Sequence, residues 1–269
     1  MAAPHARLLK RLYQDTAPRY AAVIAPALAP LTALLLESLS IHPTDRVLDI
    51  GAGVGELARR VAPRARHVTA LDFSAPMLAQ ARREAANIAL TCADAHALPF
   101  PPAAFDVALA AFCLNETEPA AALAEARRVL RPGGRLALLE WGPADARTRL
   151  VDEVLAEHAT DGAAGFQAEM RALAGWWRPW DEAVGSLADV AALLRAAGFT
   201  DVRCEEVVAR LRFDDAGAFT RYALAWSPRR VEVDAMPPAR RAAFERALRA
   251  ALGEGALVWE PALFRAVAC

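Results

Sequence analysis

The densest chemistry in this 269-residue chain lies in Val47-Leu48-Asp49-Ile50-Gly51-Ala52-Gly53-Val54-Gly55, an apolar run that turns through three glycines. Glycines let a backbone approach a ligand without side-chain obstruction, and a helix starting behind them offers its N-terminus to negative charge. The spacing narrows the ligand. Glycines at 51, 53 and 55 give G-x-G-x-G, whereas the pyrophosphate-binding G-x-G-x-x-G needs a glycine at 56, where Glu56 stands. A glutamate repels a pyrophosphate; a ligand without one meets no such objection. Asp72 ends a second apolar run, His67-Val68-Thr69-Ala70-Leu71, where a carboxylate can accept from both hydroxyls of an adenosine ribose. Asp94-Ala95 follows a third run, where a carboxylate can accept from an adenine amino group.

These residues need a scaffold that brings strand ends to one edge. Short apolar runs at Arg46–Ile50, His67–Leu71, Ala89–Cys92, Phe105–Phe112 and Arg135–Trp141 alternate with helical patterns, including Pro76–Ala86. Leu123, Ala126 and Leu130 share one helical face, and Arg131-Pro132-Gly133-Gly134 breaks that helix and turns the chain. The alternation predicts an α/β fold, a parallel sheet with helices on both faces and ligands at its carboxyl edge. Residues 7–40 read as helical, interrupted at Pro18, Pro26 and Pro30. Ser186 reads as an N-cap and Gly198 as a helix stop. Asp201–Leu211 and Ala256–Val267 read as strands six and seven.

The order of motifs resembles class I S-adenosylmethionine-dependent methyltransferases, nearest to the subgroup of ubiquinone/menaquinone-biosynthesis methyltransferases. The carriers are the acid and glycine loop, Asp72, Asp94-Ala95 before Leu98-Pro99-Phe100, Phe105-Asp106, and Arg128-Val129-Leu130-Arg131-Pro132-Gly133-Gly134. The resemblance implies a Rossmann-like seven-stranded sheet, an N-terminal helical cap (1–45), a cofactor-binding core (46–142), and a lid inserted after strand five plus C-terminal strands (143–269). It implies S-adenosyl-L-methionine as cofactor, with Asp49, Gly51 and Gly53 at its methionine end and Asp72 on the ribose. Phe73 and Met77 lie beside the adenine, Asp94 and Ala95 read its edge, and Ala111 makes a backbone contact. The resemblance also implies that Tyr13 and Tyr20 would close over the cofactor.

Where many relatives carry His-His or Arg-Asn, this chain has Asn115-Glu116, so the acceptor chemistry of those relatives does not carry over. Asn115 and Glu116 are the candidate catalytic pair. The asparagine would accept from the methyl acceptor and the glutamate would take its proton; alternatively Asn115 caps the helix near Pro119. Glu140 can orient a substrate or cap backbone, and His96 can approach the cofactor. The expected acceptor is a small hydrophobic or aromatic molecule, selected by a lid (143–185 and 212–250) that includes Trp176, Trp177 and Trp180. Two other readings stay open, a non-catalytic S-adenosylmethionine-binding module and a nicotinamide-dependent oxidoreductase.

Composition bounds the alternatives. A formal net charge of -1 gives no footprint for nucleic acid. Lys10 is the single lysine, and arginine pairs such as Arg127-Arg128 and Arg240-Arg241 are expected to face solvent. Five scattered histidines and four separated cysteines give no zinc spacing, and free, buried thiols are expected. The uncharged stretch Ala21–Leu36 falls short of the roughly 20 residues of a membrane helix. A cytoplasmic protein without membrane or nucleic-acid partners is the expectation.

Overall fold

Between Arg46 and Trp141 the strands are runs of Val, Ala, Leu and Ile, the composition of strands covered on both faces. The computed structural model describes residues 3–81, 85–160, 165–174, 180 and 183–269. The chain opens with α1 (Ala3–Arg19), a π-turn (Tyr20–Ile24) and α2 (Ala25–Glu37). It then alternates β1 (Arg46–Ile50), α3 (Glu56–Val61), β2 (His67–Asp72), α4 (Ala75–Gln80), β3 (Ile88–Cys92), β4 (Phe105–Ala111), α5 (Pro119–Val129) and β5 (Leu130–Trp141). After β5 come α6 (Ala146–His158), α7 (Gly165–Ala174), α8 (Leu187–Ala196), β6 (Arg203–Val208) and β7 (Leu211–Phe213). The remaining elements are α9 (Ala216–Ala223), α10 (Ser227–Asp234), α11 (Pro238–Leu252), β8 (Leu257–Trp259) and β9 (Ala262–Ala268).

Seven strands form one sheet in the order β3-β2-β1-β4-β5-β9-β6. β1 to β5 run parallel, and β9 runs antiparallel to both its neighbours, β5 and β6. The chain winds outward from β1 to β3 and returns to β4 on the other side of β1. That reversal opens a crevice at the carboxyl ends of β1 and β4. Side chains alternate between two cores. Val47, Leu109 and Leu139 pack with α2, α3 and the C-terminal helices, while Leu48, Ala108 and Leu138 pack with α5 and α8.

Several elements differ from the sequence reading. None of Pro18, Pro26 and Pro30 interrupts the N-terminal helical run. The Ala25 N–H bonds to the Tyr20 carbonyl five residues back, and this wide turn shifts the ladder ahead of Pro26, which has no N–H to place. The helical run Leu8–Glu37 is therefore 30 residues and, by length and composition alone, long and apolar enough to cross a membrane. Ile24, Leu28, Leu31 and Leu35 of that run are buried in the core. The helix expected over Pro76–Ala86 ends at Gln80, because Ala81 turns to extended backbone. Strand five starts at Leu130. Phe105 pairs with Leu130 and Val107 with Arg135, so Arg131–Gly134 bulge out of β5 instead of preceding it. The runs read as strands six and seven each divide: β6 and β9 join the main sheet, while β7 and β8 pair in a separate two-stranded ribbon.

Among the tryptophans expected in a lid, Trp176 and Trp177 lie outside the described residues. Trp180 is buried in the core beside the sheet, and its Nε1–H donates to the Trp141 carbonyl at 3.3 Å. The cysteines are free but not the buried thiols expected: Cys92 is exposed at the end of its strand, and Cys113, Cys204 and Cys269 are half-buried.

Arg128 also departs from expectation, because it is a clamp and not a solvent-facing charge. Its guanidinium donates to the carbonyls of Leu98 (2.8 Å) and Phe100 (2.7 Å), and Glu125 accepts the Leu98 N–H at 2.7 Å. The loop after β3 is thereby fastened to α5. Arg128→Ala should lower unfolding stability by about 1–2 kcal/mol, discounted because a third of the side chain is exposed. Urea denaturation checks this through a reduced midpoint at unchanged slope.

Candidate active site

The end of β1 runs into the glycine turn because residues 51, 53 and 55 all hold positive φ, at 69°, 55° and 76°. A side chain at 51 is excluded twice over, since a Cβ there would lie 2.3 Å from the Cβ of Cys113. Cys113 follows Phe112, a non-glycine residue with φ of 55° at the end of β4. Phe112 stays in that conformation by donating its N–H to the Leu139 carbonyl and packing on Trp141 with ring centroids 4.5 Å apart.

Asp72, buried at the end of β2, organises the turn. One carboxylate oxygen accepts the Gly53 N–H and the other the Ser74 N–H, both at 2.8 Å. Burial raises its pKa and the two N–H donors oppose the rise. Each oxygen retains a lone pair for a ligand hydroxyl.

A cleft of about 810 Å³, open mouth included, lies over these strand ends. It brings together Tyr20, Gly51, Gly53, Asp72, Phe73, Met77, Asp94, Ala95, Ala111, Asn115 and Glu116. Glu140 lies outside it, and so does Asp49. Asp49 lines an adjoining recess that shares Tyr20, Gly51, Ala111 and Phe112 with the cleft. Residues not singled out from sequence complete the wall, among them Phe112, Cys113 and Trp226. Trp226 comes from the segment before α10 and meets the Tyr20 ring edge-on at 6.3 Å. No local signal marks it, because only the fold carries it to the cleft.

The cleft is acidic and aromatic. Among the described residues that line the cleft and its recess there is no arginine or lysine. Burial pushes Asp49 and Glu140 up to about 8 each. Asp49 takes the Ala58 N–H, yet its Oδ2 is buried without a partner. Glu140 accepts the Leu114 N–H at 2.6 Å and so holds the 3-10 turn Leu114–Glu116; it caps backbone. Within that turn Asn115 Oδ1 is buried without a partner, and Glu116 accepts the Tyr13 hydroxyl at 3.2 Å. Asn115 does not cap α5, whose N-cap is Glu118. Burial and the nearby acids push the Cys113 thiol well above its ordinary value. Asp94, held by His96, is lowered.

This arrangement suits a cationic nucleoside. Unpartnered acceptors await donors, carboxylates attract positive charge, and aromatic faces favour an onium centre. A pyrophosphate would meet Glu56, which lines the recess and is engaged with Arg59 and Arg60.

Comparison with known proteins agrees. A methyltransferase domain family model matches residues 47–134. A demethylmenaquinone methyltransferase of Beutenbergia cavernae is 35% identical over 179 residues, 62% of this chain and 70% of that protein. A ubiquinone/menaquinone biosynthesis C-methyltransferase of a Ruegeria species is 40% identical over 129 residues, 44% of this chain and 52% of that protein. In fold alone, the YcgJ protein of Bacillus subtilis is similar at a TM-score of 0.57 and 17% identity, covering 88% of this chain and 97% of that one. The glycine turn, the acids at successive strand ends and these relatives together establish that the chain belongs to the class I S-adenosylmethionine-dependent methyltransferases, with relatives among the menaquinone-biosynthesis enzymes.

Proposed function

We propose that this methyltransferase acts on a small, largely apolar aromatic acceptor bearing a hydroxyl or amino donor. The observation that carries the reading is Asn115 Oδ1, a buried acceptor without a partner in a cleft walled by Tyr20, Phe112 and Trp226. A buried carbonyl costs free energy until a donor meets it, and the aromatic faces favour a flat apolar body. Anionic acceptors are disfavoured by Asp72, Asp94 and Glu116 in the same cleft. The names of the two curated relatives make a reduced quinone, which is a hydroxylated aromatic, the first acceptor to try.

The residues present fit the cofactor. Asp49 Oδ2 supplies a buried acceptor for an ammonium, and Asp72 has lone pairs for ribose hydroxyls. Gly51 and Gly53 hold the methionine end without side-chain obstruction, and Ala111 contributes backbone. Phe73 and Met77 flank the adenine, and Asp94 with Ala95 meets its edge. When bound, S-adenosylmethionine supplies a sulfonium methyl open to in-line displacement by an oxygen, nitrogen or carbon nucleophile. Asn115 orients the acceptor's donor group, Glu116 receives the proton it releases, and the Tyr13 hydroxyl holds Glu116 in place. The aromatic wall excludes water, and positioning supplies most of the acceleration. The described residues of 1–45 serve as the cap and those of 143–174 with 212–250 as the lid that selects the acceptor.

The direct test is transfer of an isotope-labelled methyl group to a panel of hydroquinones, phenols, aromatic amines and aliphatic carboxylates. Product on the aromatic donors supports the reading. Product confined to the carboxylates, or none while cofactor binds, favours another acceptor class or a non-catalytic binding module.

Asn115→Ala should slow single-turnover methyl transfer by at least about tenfold while cofactor affinity stays within about twofold. Earlier melting at an unchanged rate would remove Asn115 from the chemistry.

A second expectation concerns protons. Asp49 in the unliganded fold titrates near 8, so at pH 6–7 most molecules carry its proton. An ammonium partner drives that proton off, so cofactor affinity should rise with pH from about 6 to 8, by up to about tenfold per unit. Calorimetry in buffers of different ionisation enthalpy should record close to one proton released per cofactor, and none for Asp49→Asn. The same raised values make the native state bind more protons than the unfolded chain. The contribution of Asp49 and Glu140 to stability is therefore intact below about pH 4 and lost as pH rises through 8.

A further inference from the structure

His96 lines the cleft, and its side chain is only 9% exposed. Its Nε2 accepts the backbone N–H of Glu118 at 2.9 Å. A neutral imidazole that accepts at Nε2 carries its proton on Nδ1, and Nδ1 lies 2.5 Å from Asp94 Oδ1. The His96 backbone N–H donates to the same oxygen at 2.9 Å. Asp94 is thus held as an anion through one oxygen, and its other oxygen is left for a ligand. Glu118 in turn closes the segment that begins with the turn Leu114–Glu116, and it is the N-cap of α5. One ring therefore touches the cofactor-side acid through one nitrogen and the acceptor-side segment through the other, across 22 residues of sequence.

We propose that His96 is a positioning residue that fastens the adenine-reading carboxylate of Asp94 to the segment carrying Asn115 and Glu116, so that occupancy of the adenine subsite tightens the acceptor side. The inference rests on the adenine role of Asp94 given above. Loss of the ring frees the carboxylate to rotate and leaves the Glu118 N–H without its partner. Substitutions can sever the two ends separately. An asparagine amide N–H replaces Nδ1–H toward Asp94 and reaches no further. A glutamine carbonyl replaces Nε2 toward Glu118 and leaves Asp94 without the ring donor.

The probes are S-adenosylhomocysteine and its inosine counterpart, in which an oxo group replaces the adenine amino group and faces Asp94 acceptor to acceptor. The full chain should prefer the adenine ligand by at least about tenfold, since a site built for a donor rejects an analogue lacking it. His96→Asn should keep that preference, but exchange at the Glu118 amide should quicken about tenfold and stop responding to S-adenosylhomocysteine. His96→Gln should do the reverse, with Glu118 protected and the preference reduced to about threefold or less. Calorimetric titration reads the first property and hydrogen–deuterium exchange the second. A merely structural histidine would move both together in both variants, and that result would overturn the proposal. Asp94→Asn is the control. If it loses the preference while His96→Gln keeps it in full, His96 has no positioning role and the adenine reading stands. If Asp94→Asn itself keeps the preference, the adenine reading fails and this inference falls with it.

Discussion

One carboxylate, that of Asp72, holds the site together. It lies buried at the end of β2 and takes one backbone N–H from the glycine turn after β1 and another from the turn into α4. Two loops from neighbouring strands are thereby set at a fixed distance. Without those bonds Gly53 and Ser74 would each leave a buried donor unmet, and the positive-φ turn would be held only by backbone bonds such as Ala52 N–H to the Leu71 carbonyl. In the function proposed above the acid that shapes the cleft floor also meets the ribose, so architecture and recognition would share one side chain.

Around that floor the fold gathers carboxyl groups, two of which burial favours in the protonated form until a cation arrives. Asp49 and Glu140 are buried with one oxygen each unpartnered, and no arginine or lysine lines the cleft among the described residues. Such a site is costly when empty of positive charge and relaxes when a cation enters, which gives a sulfonium an advantage over a neutral analogue. The product of methyl transfer has lost that positive charge. On the reading proposed above, the electrostatics that favour the cofactor would also favour the departure of its remnant.

Much of this was legible because the relevant constraints are local. The glycine spacing, the acid at each strand tip and the apolar runs from Arg46 to Trp141 each depend on a few adjacent residues, and the sheet follows from their alternation. What stayed hidden depends on distant partners. Cys113 matters because it occupies the space Gly51 leaves, Trp226 because the chain returns to Tyr20, and His96 because it finds both Asp94 and a helix N-cap. The π-turn escaped because three prolines in a helical pattern signal a break, whereas a single wide turn absorbs Pro26. The β7–β8 ribbon is hard to separate from the main strands by pattern because only two residues, Ala209-Arg210 and Glu260-Pro261, divide each run.

The place of β9 in the sheet has a consequence during biosynthesis. Residues 262–268 pair with Leu136–Trp141 on one side and β6 on the other, so about 120 residues of chain separate β5 from its neighbour. As the polypeptide leaves the ribosome, the five parallel strands and their glycine turn can assemble while the far side of β5 still presents open amides and carbonyls. That edge, Leu136–Leu139, is among the most apolar of the molecule, the kind that pairs with other chains when left bare. The nascent protein thus passes through an interval in which its five parallel strands are formed while this edge is bare, and the pairing of β9 ends that interval.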